Sequence, residues 1–174
     1  MKRHKAVPTL AATFALFAGA SCGARAPLTD DEKLAEVERM SAAVDQRFPD
    51  VEAVTVEEVG RLLETGSVVL VDAREPRERE ISWIPGAITS DEFERDPDAY
   101  MDRTVVVYCT IGHRSSEYAQ RQAAEGRRVL NLRGSLLSWT HAGGPLVGPD
   151  GPTNRLHVYG QTWDLAPARF ETIW

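Results

Sequence analysis

Three apolar runs organise the chain: Val68-Val69-Leu70-Val71, Thr104-Val105-Val106-Val107-Tyr108 and Val129-Leu130-Asn131-Leu132. Each has strand length, is rich in β-branched residues and lacks the polar alternation of a half-exposed strand, so all three predict strands buried on both faces. The segments between them read as helices. Thr55 followed by Glu58 makes a capping box for a helix that ends at Thr65-Gly66, and Ala53-Val54-Thr55 before it reads as a short edge strand. The polar stretch 91–102 carries a short helix near Glu92, and a helix over 116–125 is expected with Ser115 as N-cap and Gly126 as a left-handed stop. Upstream, Thr29 and Glu32 form another capping box; Leu34, Val37, Met40, Ala43 and Val44 then recur at helical spacing through Phe48, and Pro49 ends the pattern. Strands of this kind alternating with helices predict an α/β three-layer sandwich, with a small, mainly parallel sheet of about five strands flanked by helices.

The ends of the chain differ from the middle. Lys2, Arg3 and Lys5 precede an apolar stretch from Ala6 to Ala20, too short to span a bilayer comfortably, and Ala20-Ser21-Cys22-Gly23 supplies small residues around a cysteine. This resembles a bacterial lipoprotein signal, which implies removal of residues 1–21, acylation of Cys22 and a lipid-anchored place in the cell envelope on the non-cytoplasmic side. An ordinary signal cut near Ala20 and an uncleaved anchor are the alternatives. The expected organisation is a signal peptide over 1–21, a tether and amphipathic helix over 22–52, the main α/β domain over 53–147 and an extension over 148–174. That extension opens on the turn cluster Gly148-Pro149-Asp150-Gly151-Pro152, yet carries His157, Tyr159, Trp163, Phe170 and Trp174, too many rings for a solvated linker. It is expected to pack on the domain.

Charge narrows the partners. Loss of residues 1–21 removes three of the 20 basic residues and none of the 26 acidic ones, leaving 17 against 26, a net −9. Such an acidic surface argues against nucleic acid. The chain has two cysteines, so acylation of Cys22 would leave Cys109 as the single free thiol, with no disulfide possible within the chain. No metal site is expected from one thiol and scattered histidines, and no cofactor motif is present.

Cys109 falls where the second apolar run stops and a helix is about to begin, in Cys109-Thr110-Ile111-Gly112-His113-Arg114-Ser115. A thiol at that junction meets backbone N–H groups and the positive end of a helix dipole, which favour its thiolate. Gly112 permits backbone angles that a Cβ resists, and Arg114 brings a planar fork of donors suited to an oxyanion. The loop reads as an anion cradle with Cys109 as nucleophile; the bland alternative is a buried, inert cysteine. His113 is either a donor at the rim or a loop histidine without a role. Trp83 and Trp139 read as core residues.

Four segments together resemble the rhodanese-like family. Val68 to Pro76 resembles its opening strand and Asp-x-Arg signature, Ile84-Pro85-Gly86-Ala87-Ile88 its Ile-Pro-Gly-Ala segment, Tyr108 to Arg114 its active-site loop, and Val129 to Trp139 with Gly143-Gly144-Pro145 its closing strand and helix. They cover about residues 55–147, in the family's order. Ser82-Trp83 replaces the family's usual Gly-His, and Arg77 and Arg79 stand where aromatic residues are common. The resemblance implies a sulfurtransferase: Cys109 takes sulfane sulfur from a small donor such as thiosulfate, holds it as a persulfide within the loop from Thr110 to Ser115, and passes it to a thiol or cyanide-like acceptor. Asp72 and Arg74 are expected to support the loop as an ion pair. Two other functions fit the residues. One is a non-catalytic binding module; the other is a cysteine-loop phosphatase or arsenate reductase, whose loop is longer than the four residues between Cys109 and Arg114.

Overall fold

The computed structural model describes residues 27–174. The signal segment 1–21 and Cys22 therefore lie outside the described residues. Helix α1 (Asp30–Arg47) starts at the Thr29–Glu32 capping box and is followed by β1 (Ala53–Val54), α2 (Val56–Glu64, capped by Thr55 and Glu58), β2 (Val68–Asp72) and the short α3 (Pro76–Arg79). Next come β3 (Ile88–Thr89), α4 (Ser90–Arg95), β4 (Thr104–Tyr108), α5 (His113–Ala124), β5 (Leu130–Leu132) and α6 (Ser135–His141). The strands form one parallel sheet in the order β1-β5-β4-β2-β3, with β4 at its centre. This is the expected α/β sandwich, with a sheet of five strands.

Alternation along the two long strands divides the core. Val68 and Leu70 of β2 and Val106 and Tyr108 of β4 face the side packed by Val37 of α1, Val59 of α2 and Leu136 and Leu137 of α6. Val69, Val71, Val105 and Val107 face Phe93 of α4 and Tyr118 and Ala119 of α5 on the other. Both faces are covered, so period-two alternation between apolar and polar is absent from the sequence.

The tail belongs to this core. Strands β6 (Leu146–Gly148) and β7 (Gly151–Thr153) form an antiparallel hairpin, and β8 (Arg155–His157) pairs in parallel with β9 (Glu171–Ile173). Leu156, Val158, Leu165 and Ala166 are buried in the larger core with α1 and α6 residues. Lys33 Nζ donates to the Ala166 carbonyl at 2.8 Å and the Ala168 amide donates to Asp30 Oδ1 at 2.8 Å, fixing the tail to the start of α1. Residue 147 falls inside β6, where Val147 bridges Trp83 of the main domain. Trp139 is buried, whereas Trp83 is only half-buried, because its backbone is held by that bridge at the margin of the sheet.

Candidate active site

Parallel strands of an open α/β sheet deliver their carboxyl ends to one edge, and Cys109 follows the last residue of the central strand β4. Its thiol is 1% exposed, at the floor of a cleft of about 290 Å³ lined by Thr110, Ile111, His113, Arg114, Tyr159 and Trp163. Larger grooves exist, such as one of about 410 Å³ between α1 and α6, but no cysteine lines that one.

The loop turns at Gly112, whose φ of 112° is in the region that L side chains resist. This turn brings the Gly112 amide back to donate to Cys109 Sγ at 3.2 Å. It also starts α5 earlier than the sequence suggested: the helix runs from His113, with Gly112 as N-cap, and Ser115 lies in its first turn. The Ser115 hydroxyl has better partners across the core than at a helix terminus. Its Oγ is 2.6 Å from Asn131 Oδ1 and 3.5 Å from Cys109 Sγ, and 3.4 Å from Ser135 Oγ. Ser135 Oγ in turn accepts from the Cys109 amide at 3.1 Å. Ser115, Asn131 and Ser135, all buried, thus clamp the cysteine from α5, β5 and α6. Asn131 and Ser135 were absent from the expected site, although a lone asparagine inside an apolar strand was a visible signal.

Arg114 is not a free cation. Its Nη1 and Nη2 donate to Glu78 Oε2 and Oε1 at 2.5 and 2.8 Å, and its guanidinium lies 4.6 Å from the centre of the Tyr159 ring. Glu78 is fully buried, and burial pushes its carboxyl up, but the fork of Arg114, the Glu75 amide and Arg74 together outweigh this and the net effect is a lowered pKa. Thr110 Oγ1 adjoins the same pair, 3.2 Å from Arg114 Nη2. Glu78 sits among the charges of Pro76-Arg77-Glu78-Arg79-Glu80, and nothing in that run distinguishes the glutamate that folding buries. His113 is part-exposed at the rim, with its ring edge-on to Phe48 at 5.1 Å and Nδ1 3.8 Å from Glu117 Oε2.

Asp72 and Arg74 form a buried bidentate pair, with Nε to Oδ1 at 2.9 Å and Nη2 to Oδ2 at 2.6 Å. Tyr108 OH donates to Asp72 Oδ2 at 2.8 Å and accepts from the Ile84 amide at 3.2 Å. Arg74 Nη2 also donates to the Ser82 carbonyl at 2.6 Å. The pair therefore ties the end of β2 to the Ile84-Pro85-Gly86 segment and to the residue before Cys109. It holds the scaffold and does not line the cleft.

The remaining wall comes from the tail. Tyr159 and Trp163 pack edge to face with centroids 5.4 Å apart, over the loop. Tyr159 has a φ of 69°, and its amide donates to Nδ1 of the buried His157 at 3.0 Å.

A family model described as Rhodanese-like domain matches residues 55–142, half of the chain. The chain belongs to the rhodanese-like domain family. Over 95 residues it is 39% identical to a protein named Sulfurtransferase from Allochromatium vinosum, covering 52% of this chain and 89% of that one. It is also 33% identical over 121 residues to the HTH-type transcriptional regulator Rv0324 of Mycobacterium tuberculosis, covering 67% of this chain and 53% of the regulator. Among solved structures, the thiosulfate sulfurtransferase of Pseudomonas aeruginosa superposes with a TM-score of 0.51 at 26% identity, over 64% of this chain and 23% of that enzyme. In this rhodanese-like chain the matched segment ends before β6, so Tyr159 and Trp163 lie beyond the family match.

Proposed function

We propose that this protein is a sulfurtransferase in which Cys109 accepts sulfane sulfur from a donor such as thiosulfate and delivers it, as a persulfide, to a thiol or cyanide-like acceptor. The observation that carries the reading is the sulfur of Cys109 at the floor of a cleft, with the Gly112 amide at 3.2 Å and the Ser115 hydroxyl at 3.5 Å. The Gly112 amide, at the start of α5, stabilises negative charge on the thiolate before attack and on the persulfide after it, and the Ser115 proton, shared with Asn131 Oδ1, adds to it when it turns to the sulfur. In the first half-reaction the thiolate attacks the outer sulfur of the donor and expels sulfite from thiosulfate; in the second, an acceptor nucleophile removes that sulfur and restores the thiolate. The similarity to the Allochromatium sulfurtransferase supports the same reading. Mass spectrometry of the protein after incubation with thiosulfate or a small persulfide tests it: one added sulfur on Cys109, absent from Cys109→Ser, is expected. No added sulfur from any donor would overturn it.

A second reading, a non-catalytic binding module, is favoured by the near-complete burial of Cys109 and by the engagement of Arg114 with Glu78. It predicts that same negative result.

The protein works, in this reading, outside the cytoplasm of a bacterium, held at the membrane by acyl chains on Cys22. Support comes from Lys2, Arg3 and Lys5, the apolar stretch to Ala20 and the small residues before Cys22. Two or more acyl chains anchor stably where one does not. Labelling with a fatty-acid analogue should mark the parent and not Cys22→Ala; equal labelling of both removes the lipid anchor from the proposal.

A further inference from the structure

We infer that the cleft above Cys109 selects organic persulfides, R–S–SH with a small apolar or aromatic R, over thiosulfate, and that Tyr159 and Trp163 determine this specificity. The inference rests on the sulfur-transfer reading and names its donor class.

Charge decides against a dianion. Arg114 is the arginine lining the cleft, and both of its terminal nitrogens are engaged by the buried carboxylate of Glu78. The pair is neutral as a unit, and one face of the guanidinium is covered by the Tyr159 ring at 4.6 Å. A thiosulfate ion reaching a 1%-exposed sulfur would lose most of its hydration and, among the described residues, meet no uncommitted arginine or lysine lining the cleft. A hydropersulfide loses far less.

Shape and lining favour an apolar group. Ile111, Tyr159 and Trp163 supply the apolar walls, and a cleft of about 290 Å³ exceeds the roughly 150 Å³ that suffices for a benzene-sized ring. The two aromatic rings stand edge to face at 5.4 Å, and the backbone of Tyr159 is held by its amide donating to the buried His157. An aromatic R group would meet rings already in place, with little ordering cost.

The step balances without an outside oxidant. The Cys109 thiolate attacks the outer sulfur of R–S–SH, a new S–S bond forms, and the old S–S bond breaks with its electron pair leaving as R–S⁻. The proton remains on the transferred sulfur, giving Cys109–S–SH.

Intact-protein mass spectrometry can follow the rate of sulfur loading on Cys109 with benzyl persulfide generated in situ and, separately, with thiosulfate at equal concentration. The persulfide is expected to load at least about tenfold faster, and Trp163→Ala to lower the ratio of the two rates by about tenfold, the scale on which apolar pockets discriminate. Trp163→Phe, which keeps a ring, should recover most of the ratio. Thiosulfate loading as fast as benzyl persulfide, or a ratio unchanged in Trp163→Ala and Tyr159→Ala, overturns the inference and leaves sulfur transfer standing. Loading by neither donor overturns both.

Discussion

Cys109 and Glu78 are two buried groups with opposite requirements. The thiol needs nearby donors to become a nucleophile, and it has the Gly112 amide and Ser115 hydroxyl. Cys109→Ser should leave the fold intact and abolish sulfur loading, since a hydroxyl of similar size cannot form a persulfide; retained transfer in a coupled thiol assay would disprove the nucleophile assignment. Glu78 needs a cation. Arg114→Ala would leave a fully buried carboxylate without its fork, at a cost of about 2 kcal/mol, less than the 3–5 kcal/mol of an enclosed pair because 26% of the Arg114 side chain is exposed. The sign with pH follows from the lowered pKa of Glu78 in the parent, whose contribution is present above the usual carboxylate range and lost as pH falls through it. In Arg114→Ala burial is opposed only by the Glu75 amide and Arg74, so the pKa moves up from its parent value, the variant is most handicapped near pH 7 and the gap narrows as pH falls through the carboxylate range. Urea midpoints of both proteins across that range measure the gap; a constant difference would exclude Glu78 as its source.

Between residue and fold, the decisive element is the turn from β4 into α5. Its left-handed Gly112 sets where the amide points, and a Cβ there would lie 3.3 Å from Asn131 Nδ2, in the clamp around the cysteine. Gly112→Ala should therefore cost roughly 1–3 kcal/mol of stability and also slow sulfur loading at a pH where the parent is fully folded. Loss of stability with unaltered loading would show that the amide is not needed. The start of α5 differs from the sequence expectation for a related reason. Ser115 has the chemistry of an N-cap, but its hydroxyl is drawn to Asn131 Oδ1 at 2.6 Å, a partner 16 residues away in sequence. The capping boxes at Thr29, Thr55 and the further one at Thr89 involve residues three apart, so they are legible in sequence.

For the molecule as a whole, the tail acts as both core and cleft wall. Leu156 is fully buried, and Leu156→Ala should cost about 2–5 kcal/mol by chemical denaturation; a change under 1 kcal/mol would mean the tail is not part of the cooperative unit. The wall also carries a titratable support. Burial lowers the pKa of His157, which remains neutral in the folded protein where an ordinary imidazole would charge. A neutral Nδ1 accepts from the Tyr159 amide, and a protonated one cannot. Glu78 opposes the shift while Arg77, Arg74 and Arg114 reinforce it. The contribution is therefore fully present above the ordinary imidazole pKa and is lost as pH falls through the lowered pKa of the folded protein. Hydrogen exchange at the Tyr159 amide, corrected for intrinsic rate, should accelerate below that pH in the parent and show no such step in His157→Phe.

The apolar runs, the helix caps and the order of four motifs determined the α/β sandwich and put Cys109 at the end of a central strand, because these features are local in sequence or repeat with the period of an element. The tail packs as its apolar content predicts, but through Leu156, Val158, Leu165 and Ala166; of its rings Tyr159 and Trp174 stay exposed. That Tyr159 and Trp163 wall the cleft was decided only by tertiary structure, as were the choice of Glu78 among neighbouring charges as the partner of Arg114 and the meeting of Ser115, Asn131 and Ser135 at the cysteine. These contacts join groups far apart in the chain, and their energies come from burial and from partners that no local pattern specifies. A free arginine in sequence and a neutralised one in the fold have the same neighbours along the chain; only packing separates them.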